Sequence, residues 1–478
     1  MDKARDLLGR RLRGLFAVLA CSAVGVAAAE DEACIVCHAK VTPGIVQQWR
    51  TSKHAGIGVQ CSACHAAKAD DPDAFEHNGS TIAVIVSPRD CGQCHGKEFE
   101  EQRHSHHAKA GQILGSLDNL LGEVVGGEPA VNVGCRQCHG SVVKVDAEGR
   151  PTADTWPNTG MGRINPDGSW GSCSACHTRH TFSVKQARQP EACGKCHVGP
   201  DHPQIEVWEE SKHGVMYRAE RENMKLDSEE WRAGEEYFVG PTCASCHMSA
   251  AGSQPVTHDV GERISWTLRP AISAKLNLIV LEDGTQVDVL GEKPELPQVG
   301  QSYEPTPGNA KAVKSVLTWE QRRERMQDIC TQCHSPNFAQ QAYTQFDETV
   351  VLYNEKFAKP GKAIIDELRK AGKITPVDFD DPIEWTWYEL WHHEGRRARH
   401  GAAMQGPDYA WWHGVYEVAK TFYEHLIPEM REVAGPELAD QILQSNVYLV
   451  PGHEWHRDGM SKEALQKMQE FYRERYGQ

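Results

Sequence analysis

The sequence predicts a mainly α-helical chain whose core is filled by covalently attached prosthetic groups, with a small β-hairpin insertion and a C-terminal helical bundle. Three observations carry this expectation. Cys-x-x-Cys-His occurs eight times between Cys34 and His334, β-branched and polar residues alternate between Leu276 and Val289, and apolar residues recur at helical spacing from Ala312 onward.

The first element, residues 1–29, reads as a signal peptide. Arg10, Arg11 and Arg13 precede the apolar run Leu15 to Ala29, and small residues mark a cleavage site near Ala27-Ala28-Ala29. A lipoprotein box at Val18-Leu19-Ala20-Cys21 is the poorer reading, because only about six apolar residues precede the cysteine. Export to the periplasm is expected. No later stretch approaches the roughly 18 apolar residues that a membrane helix needs, so no transmembrane segment is expected after cleavage. The 478 residues carry a formal charge of −15, and residues 1–29 hold five basic and two acidic side chains, so the remainder sits near −18. Such acidity weighs against nucleic acid as a partner and suits a basic patch on a small redox protein.

Of 17 cysteines, 16 fall into eight pairs, and the odd one, Cys21, lies in the segment expected to be removed. The pairs and their histidines are Cys34/Cys37/His38, Cys61/Cys64/His65, Cys91/Cys94/His95, Cys135/Cys138/His139, Cys173/Cys176/His177, Cys193/Cys196/His197, Cys243/Cys246/His247 and Cys330/Cys333/His334. Each is a c-type haem attachment sequence: two thiols one helical turn apart form thioethers to one porphyrin, and the next imidazole reaches the iron. Zinc or disulfide exchange would suit one isolated pair. It does not suit eight pairs that are each followed by histidine, with no spare cysteine. Eight haems over residues 30–478 leave about 56 residues each, far fewer than a conventional single-core domain uses. The haems must form the core, and macrocycles packed so closely conduct electrons.

A haem that only transfers electrons needs a ligand on its second face, and 16 of the 24 histidines lie outside the motifs. His54 and His213 share the pattern Trp-x-x-Ser-Lys-His, in Trp49–His54 and Trp208–His213, and read as distal ligands on short helices. His180 and His258 are further candidates.

Residues 30–260 should be helical pieces and loops wrapped on the first seven haems. Residues 261–310 should hold a small surface hairpin turning at Asp283-Gly284. Residues 311–478 should carry the eighth haem and a bundle with helices over Ala312–Cys330, Asn337–Phe357, Lys362–Ala371, Asp408–His425 and Ser461–Tyr476. That length exceeds what a haem cage needs, so part of the bundle is expected to meet another subunit.

With these motifs in order the chain resembles the octahaem cytochromes related to hydroxylamine oxidoreductase. The likeness rests on Asn158-Thr159-Gly160-Met161-Gly162-Arg163-Ile164-Asn165-Pro166-Asp167-Gly168, on Gly199-Pro200-Asp201-His202-Pro203, and on Met404-Gln405-Gly406-Pro407-Asp408-Tyr409 with Trp412-His413-Gly414. The resemblance implies seven bis-histidine haems and one five-coordinate haem, the fourth, held by Cys135 and Cys138 with His139 as its proximal ligand. It makes Asp201 and His202 the distal acid/base pair, and Tyr409 the residue that cross-links to the catalytic haem of a neighbouring subunit in oxidative members. Tyr388 and Tyr416 are weaker choices. A homotrimer around the C-terminal helices is implied. His54, His77, His107, His180, His213, His258 and His413 would then serve the seven electron-transfer haems, with His104, His106, His392 and His393 as competitors. The expected activity is oxidation of hydroxylamine to nitric oxide or nitrite, with electrons passed to an acceptor cytochrome c. Alternatives are an ammonium-forming nitrite or hydroxylamine reductase, a hydrazine dehydrogenase, and a non-catalytic electron conduit.

Overall fold

The computed structural model describes residues 31–113 and 122–477, so the expected signal peptide and Cys21 lie outside the described residues. Up to residue 260 the helices are short, as in Pro43–Arg50, Gly96–His104, Gln204–Glu210 and Lys212–Glu220. Local signals start them. Ser52 accepts from the Ala55 N–H at 3.1 Å, Ser87 and Asp90 form a capping box ahead of Pro88, and Thr242 and Ser245 form another ahead of Cys243. Buried apolar side chains before Ile205 are small and scattered, such as Val46, Ile85, Ala108 and Val143, and join none of the apolar clusters among the described residues. A chain that folds without an oily interior must fill its centre with something else.

The expected surface hairpin is instead the middle of a five-stranded antiparallel sheet. Strands β1 (Phe75–His77) and β2 (Ser80–Ile82) pair separately near the first motifs. The larger sheet holds β3 (Trp266–Thr267), β4 (Ala274–Leu281), β5 (Gln286–Leu290), β6 (Ser302–Tyr303) and β7 (Lys311–Leu317). β4 pairs with β3, β5 and β7, and its run of buried residues from Lys275 to Ile279 is covered on both faces. β7 corrects a second expectation, because helix begins only at Trp319. Val313 and Val316 stand three apart and imitate a helical face, but pairing with β4 decides the conformation. The true start is marked by the Thr318 and Gln321 capping box.

An ionic cluster joins this sheet to the helices Trp319–Cys330 and Pro336–Tyr353. Asp347 accepts both Arg323 Nη groups at 2.6 Å, Lys275 Nζ at 3.1 Å and the Trp266 indole N–H at 2.7 Å. Lys275 and Arg323 are 5% and 8% exposed, and Lys275 Nζ sits 4.0 Å from the Trp266 and Trp319 ring centroids. Burial opposes the charge on Asp347, but the Arg323 and Trp266 hydrogen bonds outweigh it and hold the carboxyl below its usual range. Asp347→Ala should therefore cost roughly 2–3 kcal/mol by leaving two buried cations uncompensated. A carboxyl lowered by folding stabilises above its unfolded pKa, and that contribution disappears as pH falls through its folded value. Denaturant melts at neutral and acid pH should show the variant's deficit shrinking on acidification.

The C-terminal region has a conventional apolar core that includes Phe357, Ile364, Leu368, Leu390, Phe422, Leu426, Met430 and Ile442. The two helices expected over 337–371 are one continuous element: Pro336–Tyr353 runs through a π segment, Asn354–Ala358, into Lys359–Lys370. Pro360 lacks an N–H for the Lys356 carbonyl. His453 Nε2 stands 2.8 Å from that oxygen and replaces the missing bond, while the Tyr423 hydroxyl lies 2.7 Å from its Nδ1. The helix expected over 408–425 likewise continues through the π segment Phe422–Leu426 into Ile427–Ala434, which carries Pro428. Gly414 permits close packing on the helix Gly395–Met404, since a Cβ there would lie 2.6 Å from the Ala398 Cα. The last helix, Lys462–Tyr476, buries no residue in the single chain and exposes Leu465, Met468, Tyr472 and Tyr476. Among the described residues no helix is long and apolar enough to cross a membrane.

Candidate active site and haem array

The motif helices put each imidazole directly beyond its paired thiols, as in Ser62–His65, Cys135–His139 and Cys243–His247. Several of these imidazoles are oriented through Nδ1: His38 by Thr42 Oγ1 at 2.8 Å, His65 by the Ala83 carbonyl at 2.9 Å, His139 by the Ala110 carbonyl at 3.2 Å, and His247 by the Val260 carbonyl at 3.2 Å. That arrangement leaves Nε2 for a metal.

Two imidazoles bound across one iron hold their ring centroids about 6 Å apart. Five motif histidines face a second imidazole at that spacing: His38 and His77 at 6.1 Å, His65 and His180 at 6.3 Å, His95 and His54 at 6.1 Å, His177 and His258 at 6.5 Å, and His334 and His213 at 6.1 Å. The two Trp-x-x-Ser-Lys-His repeats fold alike. Ser52 and Ser211 cap the helices that carry His54 and His213, and the indoles of Trp49 and Trp208 donate to the carbonyls of Val59 and Pro241.

His107 faces His197 at 6.0 Å and is also close enough to His247 for their charges to interact. Burial, then His247 and His106, lower it to about 4. His202 stands 6.2 Å from the same His197. His413, expected as a seventh ligand, is half exposed with its Nδ1 2.7 Å from Asp408, and the aromatic ring it meets is Tyr409 at 5.5 Å. His106 lies 3.3 Å from Asp288, and His104 lies 3.7 Å from Glu100. His393 pairs with Glu389 at 2.5 Å, and His392 Nε2 lies 3.2 Å from the Tyr388 hydroxyl.

Thiols of different motifs meet. Cys91 of the third touches Cys173 of the fifth, Cys138 of the fourth touches Cys196 of the sixth, and Cys193 of the sixth touches Cys243 of the seventh. Cys34 with Cys61, Cys64 with Cys91, Cys176 with Cys193, and Cys246 with Cys330 are within electrostatic reach. These contacts trace a line through motifs one, two, three, five, six, seven and eight, with the fourth beside the sixth.

Three of the paired thiols differ from the rest in exposure. Cys37 of the first motif, Cys94 of the third and Cys333 of the eighth are exposed, whereas the other paired thiols are half-buried. Position along the line accounts for two of them, because the first and eighth motifs are its ends and each has a neighbouring motif on one side only. In the third motif Cys91 turns inward to Cys173, so Cys94, three residues further on the same turn, lies outward, with Cys64 of the second motif within electrostatic reach. Cys37 and Cys94 keep their place in the attachment motifs.

Buried arginine nitrogens also await an acceptor: Arg136 Nε, Arg263 Nε and Arg322 Nη1 have no hydrogen-bond partner among the described residues. A carboxylate such as a haem propionate satisfies a buried guanidinium N–H, so the side chains present fit haem.

The fourth motif has its own support. Met161 N–H and Gly162 N–H donate to the carbonyls of Cys138 and His139 at 2.9 and 3.0 Å, and Asn158 Nδ2 donates to the Ser141 carbonyl at 3.1 Å. A Cβ on Gly160 would lie 2.0 Å from Gly140 N, so only glycine admits this approach. The loop over residues 158–168, read in the sequence as preceding the fifth haem, backs the fourth.

Asp201 and His202 follow the sixth motif, and His202 is close enough to Cys138 of the fourth to lower its thiol, after the Cys196 contact. His202 Nδ1 lies 2.8 Å from Asp201 Oδ1, a close but bent contact of the kind that catalytic groups often make before substrate binds. Arg396 Nη1 lies 3.3 Å from Asp201 Oδ2. Burial opposes the charge on Asp201, but the hydrogen bond and charge of His202, then His392 and Arg396, hold it well below the usual carboxylate range. Gln204 Nε2 stands 3.3 Å from Nε2 of His400, whose pKa is lowered to about 3 by burial and then by Arg399 and Arg396. Tyr409 is set against the helix Gln204–Glu210, where its N–H donates to Glu210 Oε1 at 3.3 Å. Its hydroxyl is raised by burial and by Glu206 and Glu210. Tyr388 is buried in the bundle, and Tyr416 packs with Trp412 on the surface. Sequence reasoning missed Arg396 and His400. Their signal was the run Gly395-Arg396-Arg397-Ala398-Arg399-His400, too cationic on every face for a helix that enters a core.

Comparison with known proteins agrees with this geometry. The family described as "Seven times multi-haem cytochrome CxxCH" matches residues 162–283 and 296–382, and "Cytochrome c7 and related cytochrome c" matches residues 124–198. The chain is 23% identical over 477 residues to a "Probable nitrite reductase-hydroxylamine oxidoreductase fusion protein" of Kuenenia stuttgartiensis, covering 80% of this chain and only 49% of that protein. It is 23% identical over 207 residues to the "C-type polyheme cytochrome OmcB" of Geobacter sulfurreducens, covering 33% of this chain and 26% of that one. A solved "Hypothetical multiheme protein" superposes with a TM-score of 0.70 at 26% identity, covering 84% of this chain and 95% of the other. The reducing HAO-like protein complex of Kuenenia stuttgartiensis shares the fold at a TM-score of 0.57 and 20% identity, covering 88% and 87%. The chain belongs to the multihaem cytochromes c, with c-type haems bound through its Cys-x-x-Cys-His motifs. The relatives and solved structures it resembles include ones described as hydroxylamine oxidoreductase or HAO-like.

Proposed function

We propose that the chain is a periplasmic octahaem hydroxylamine oxidoreductase, with eight haems, catalysis at the fourth, and electrons leaving through the other seven to an acceptor cytochrome c. The observation that carries this reading is the Asp201–His202 pair beside Cys138 of the fourth motif. A conduit has no use for an acid/base pair there. When bound, the fourth haem supplies an iron for substrate nitrogen and an electron acceptor. The protein's own task is to take protons, since oxidation of hydroxylamine to nitric oxide releases protons and electrons in equal number. Asp201 keeps the His202 ring in place, and the imidazole accepts and passes protons. Tyr409, next to Glu206 and Glu210 on the helix that follows His202, would supply the cross-link to a neighbouring subunit in a homotrimer. The exposed apolar side chains of Lys462–Tyr476 and the Trp411, Trp412 and Tyr416 surface suit such an assembly.

A reductive reading, in which nitrite or hydroxylamine becomes ammonium, is favoured by likeness to a complex described as reducing. Hydrazine oxidation would use the same acid/base pair. The conduit reading is favoured by the 6.2 Å spacing of His202 from His197, which would suit an axial ligand. One set of measurements on the matured protein separates these readings. Intact mass and pyridine haemochrome should give eight haems, the reduced protein should bind carbon monoxide at one of them, and a Tyr409 peptide should be recovered attached to haem. An unmodified Tyr409 with reductive turnover only would support the reductase, and no carbon monoxide binding would support the conduit.

A further inference from the structure

We infer that Arg396 is the residue that positions the Asp201–His202 pair, an inference that rests on that pair being the acid/base group proposed above. Arg396 is 8% exposed and held from several directions. Its Nε donates to the Arg269 carbonyl at 2.8 Å, its guanidinium carbon lies 5.2 Å from the Trp391 ring centroid, and Nη1 reaches Asp201 Oδ2 at 3.3 Å. The two oxygens of Asp201 are thereby divided, Oδ2 toward Arg396 and Oδ1 toward His202 at 2.8 Å. A carboxylate pinned at one oxygen cannot turn, so the other keeps a fixed direction. An ionised acceptor at Nδ1 fixes the His202 tautomer with its proton there, and leaves Nε2 as the basic atom.

The support behind Arg396 is rigid. One turn further along the helix Gly395–Met404, Arg399 Nη1 donates to the Pro270 carbonyl at 2.8 Å and to Ser273 Oγ at 2.6 Å, while its Nε donates to the Gly395 carbonyl at 2.7 Å. The helix is thus stapled to residues 269–273 at two points, and Arg396 is delivered from a fixed backbone. A planar fork holds a carbonyl and a carboxylate at once. A lysine at this position supplies charge without that geometry.

The test uses the full-length, haem-loaded protein with Arg396→Gln and Arg396→Lys. Arg396→Gln is expected to lower kcat for hydroxylamine oxidation by about 10–100-fold with little change in KM. Cyanide affinity of the ferric protein, read optically, should fall in parallel, while the low-spin absorption stays as in the parent. Arg396→Lys should recover part of both losses. Parent-like kcat and cyanide affinity in Arg396→Gln overturn the inference, and so does a loss that tracks the fall in Tm with no recovery by lysine. Asp201→Asn tells the two failures apart. If it too is parent-like in both measurements, the acid/base reading of the pair falls. If it is impaired while Arg396→Gln is not, only the positioning role falls.

Discussion

Asp201→Asn is expected to lower kcat for hydroxylamine oxidation by about a hundred- to ten-thousandfold, with KM and the low-spin absorption nearly unchanged. Asparagine keeps the size of aspartate but gives only one end that accepts. Arg396 and His202 both approach this side chain, at 3.3 and 2.8 Å. If the amide NH2 turns toward Arg396, two donors oppose each other. If it turns toward His202, it donates to Nδ1 and moves the imidazole proton to Nε2, where a base is needed. Either arrangement removes one of the two acceptors, and with it the fixed direction of the other. Steady-state kinetics with a soluble electron acceptor would measure this, and unchanged kcat would show that the pair has no role in proton transfer.

The attachment sites were legible because they are local: five consecutive residues on one helical turn carry both thioethers and one axial ligand. How deeply each thiol sits was not legible, since the exposure of Cys37 and Cys94 depends on which motifs lie beside them in space. The partners of the motif histidines were legible only in part, because an axial pair joins distant places. His54 lies between the first and second motifs yet faces His95 of the third, and His180 after the fifth faces His65 of the second. A repeated Trp-x-x-Ser-Lys-His pattern marked two of these ligands because it also encodes a capped helix, whereas His77 and His258 had no such mark. The helix limits followed the same division. Thr318 and Gln321 state the start of the helix at Trp319, but the conformation of Lys311–Leu317 depends on β4, which only tertiary pairing supplies. A proline such as Pro360 ordinarily breaks a helix. The helix survives because His453, almost a hundred residues away, bonds the carbonyl that the proline leaves open.

The second large effect is expected at the fifth motif. His258→Ala should convert one haem from low to high spin without changing the number of haems, because Cys173, Cys176 and His177 remain to hold it. His258 faces His177 at 6.5 Å with nearly parallel rings, and its backbone is fixed by its own N–H to Glu101 Oε2 at 2.8 Å. The fifth motif is also a link that the line of haems cannot bypass: Cys173 meets Cys91 of the third, and Cys176 adjoins Cys193 of the sixth. Losing an imidazole moves that haem's potential by some part of the roughly 0.8 V range that axial ligation commands. Electrons arriving by way of the sixth haem then reach a mismatched step on their way to the third, second and first. Reduction of those three haems, followed by stopped-flow absorption after hydroxylamine addition, should slow, while the seventh and eighth fill at the parent rate. His413→Ala is the informative contrast. Its ring is half exposed and paired with Asp408, so the low-spin bands should stay as they are. High-spin absorption in that variant would make His413 an axial ligand and require the bundle to close on a haem in the assembled protein.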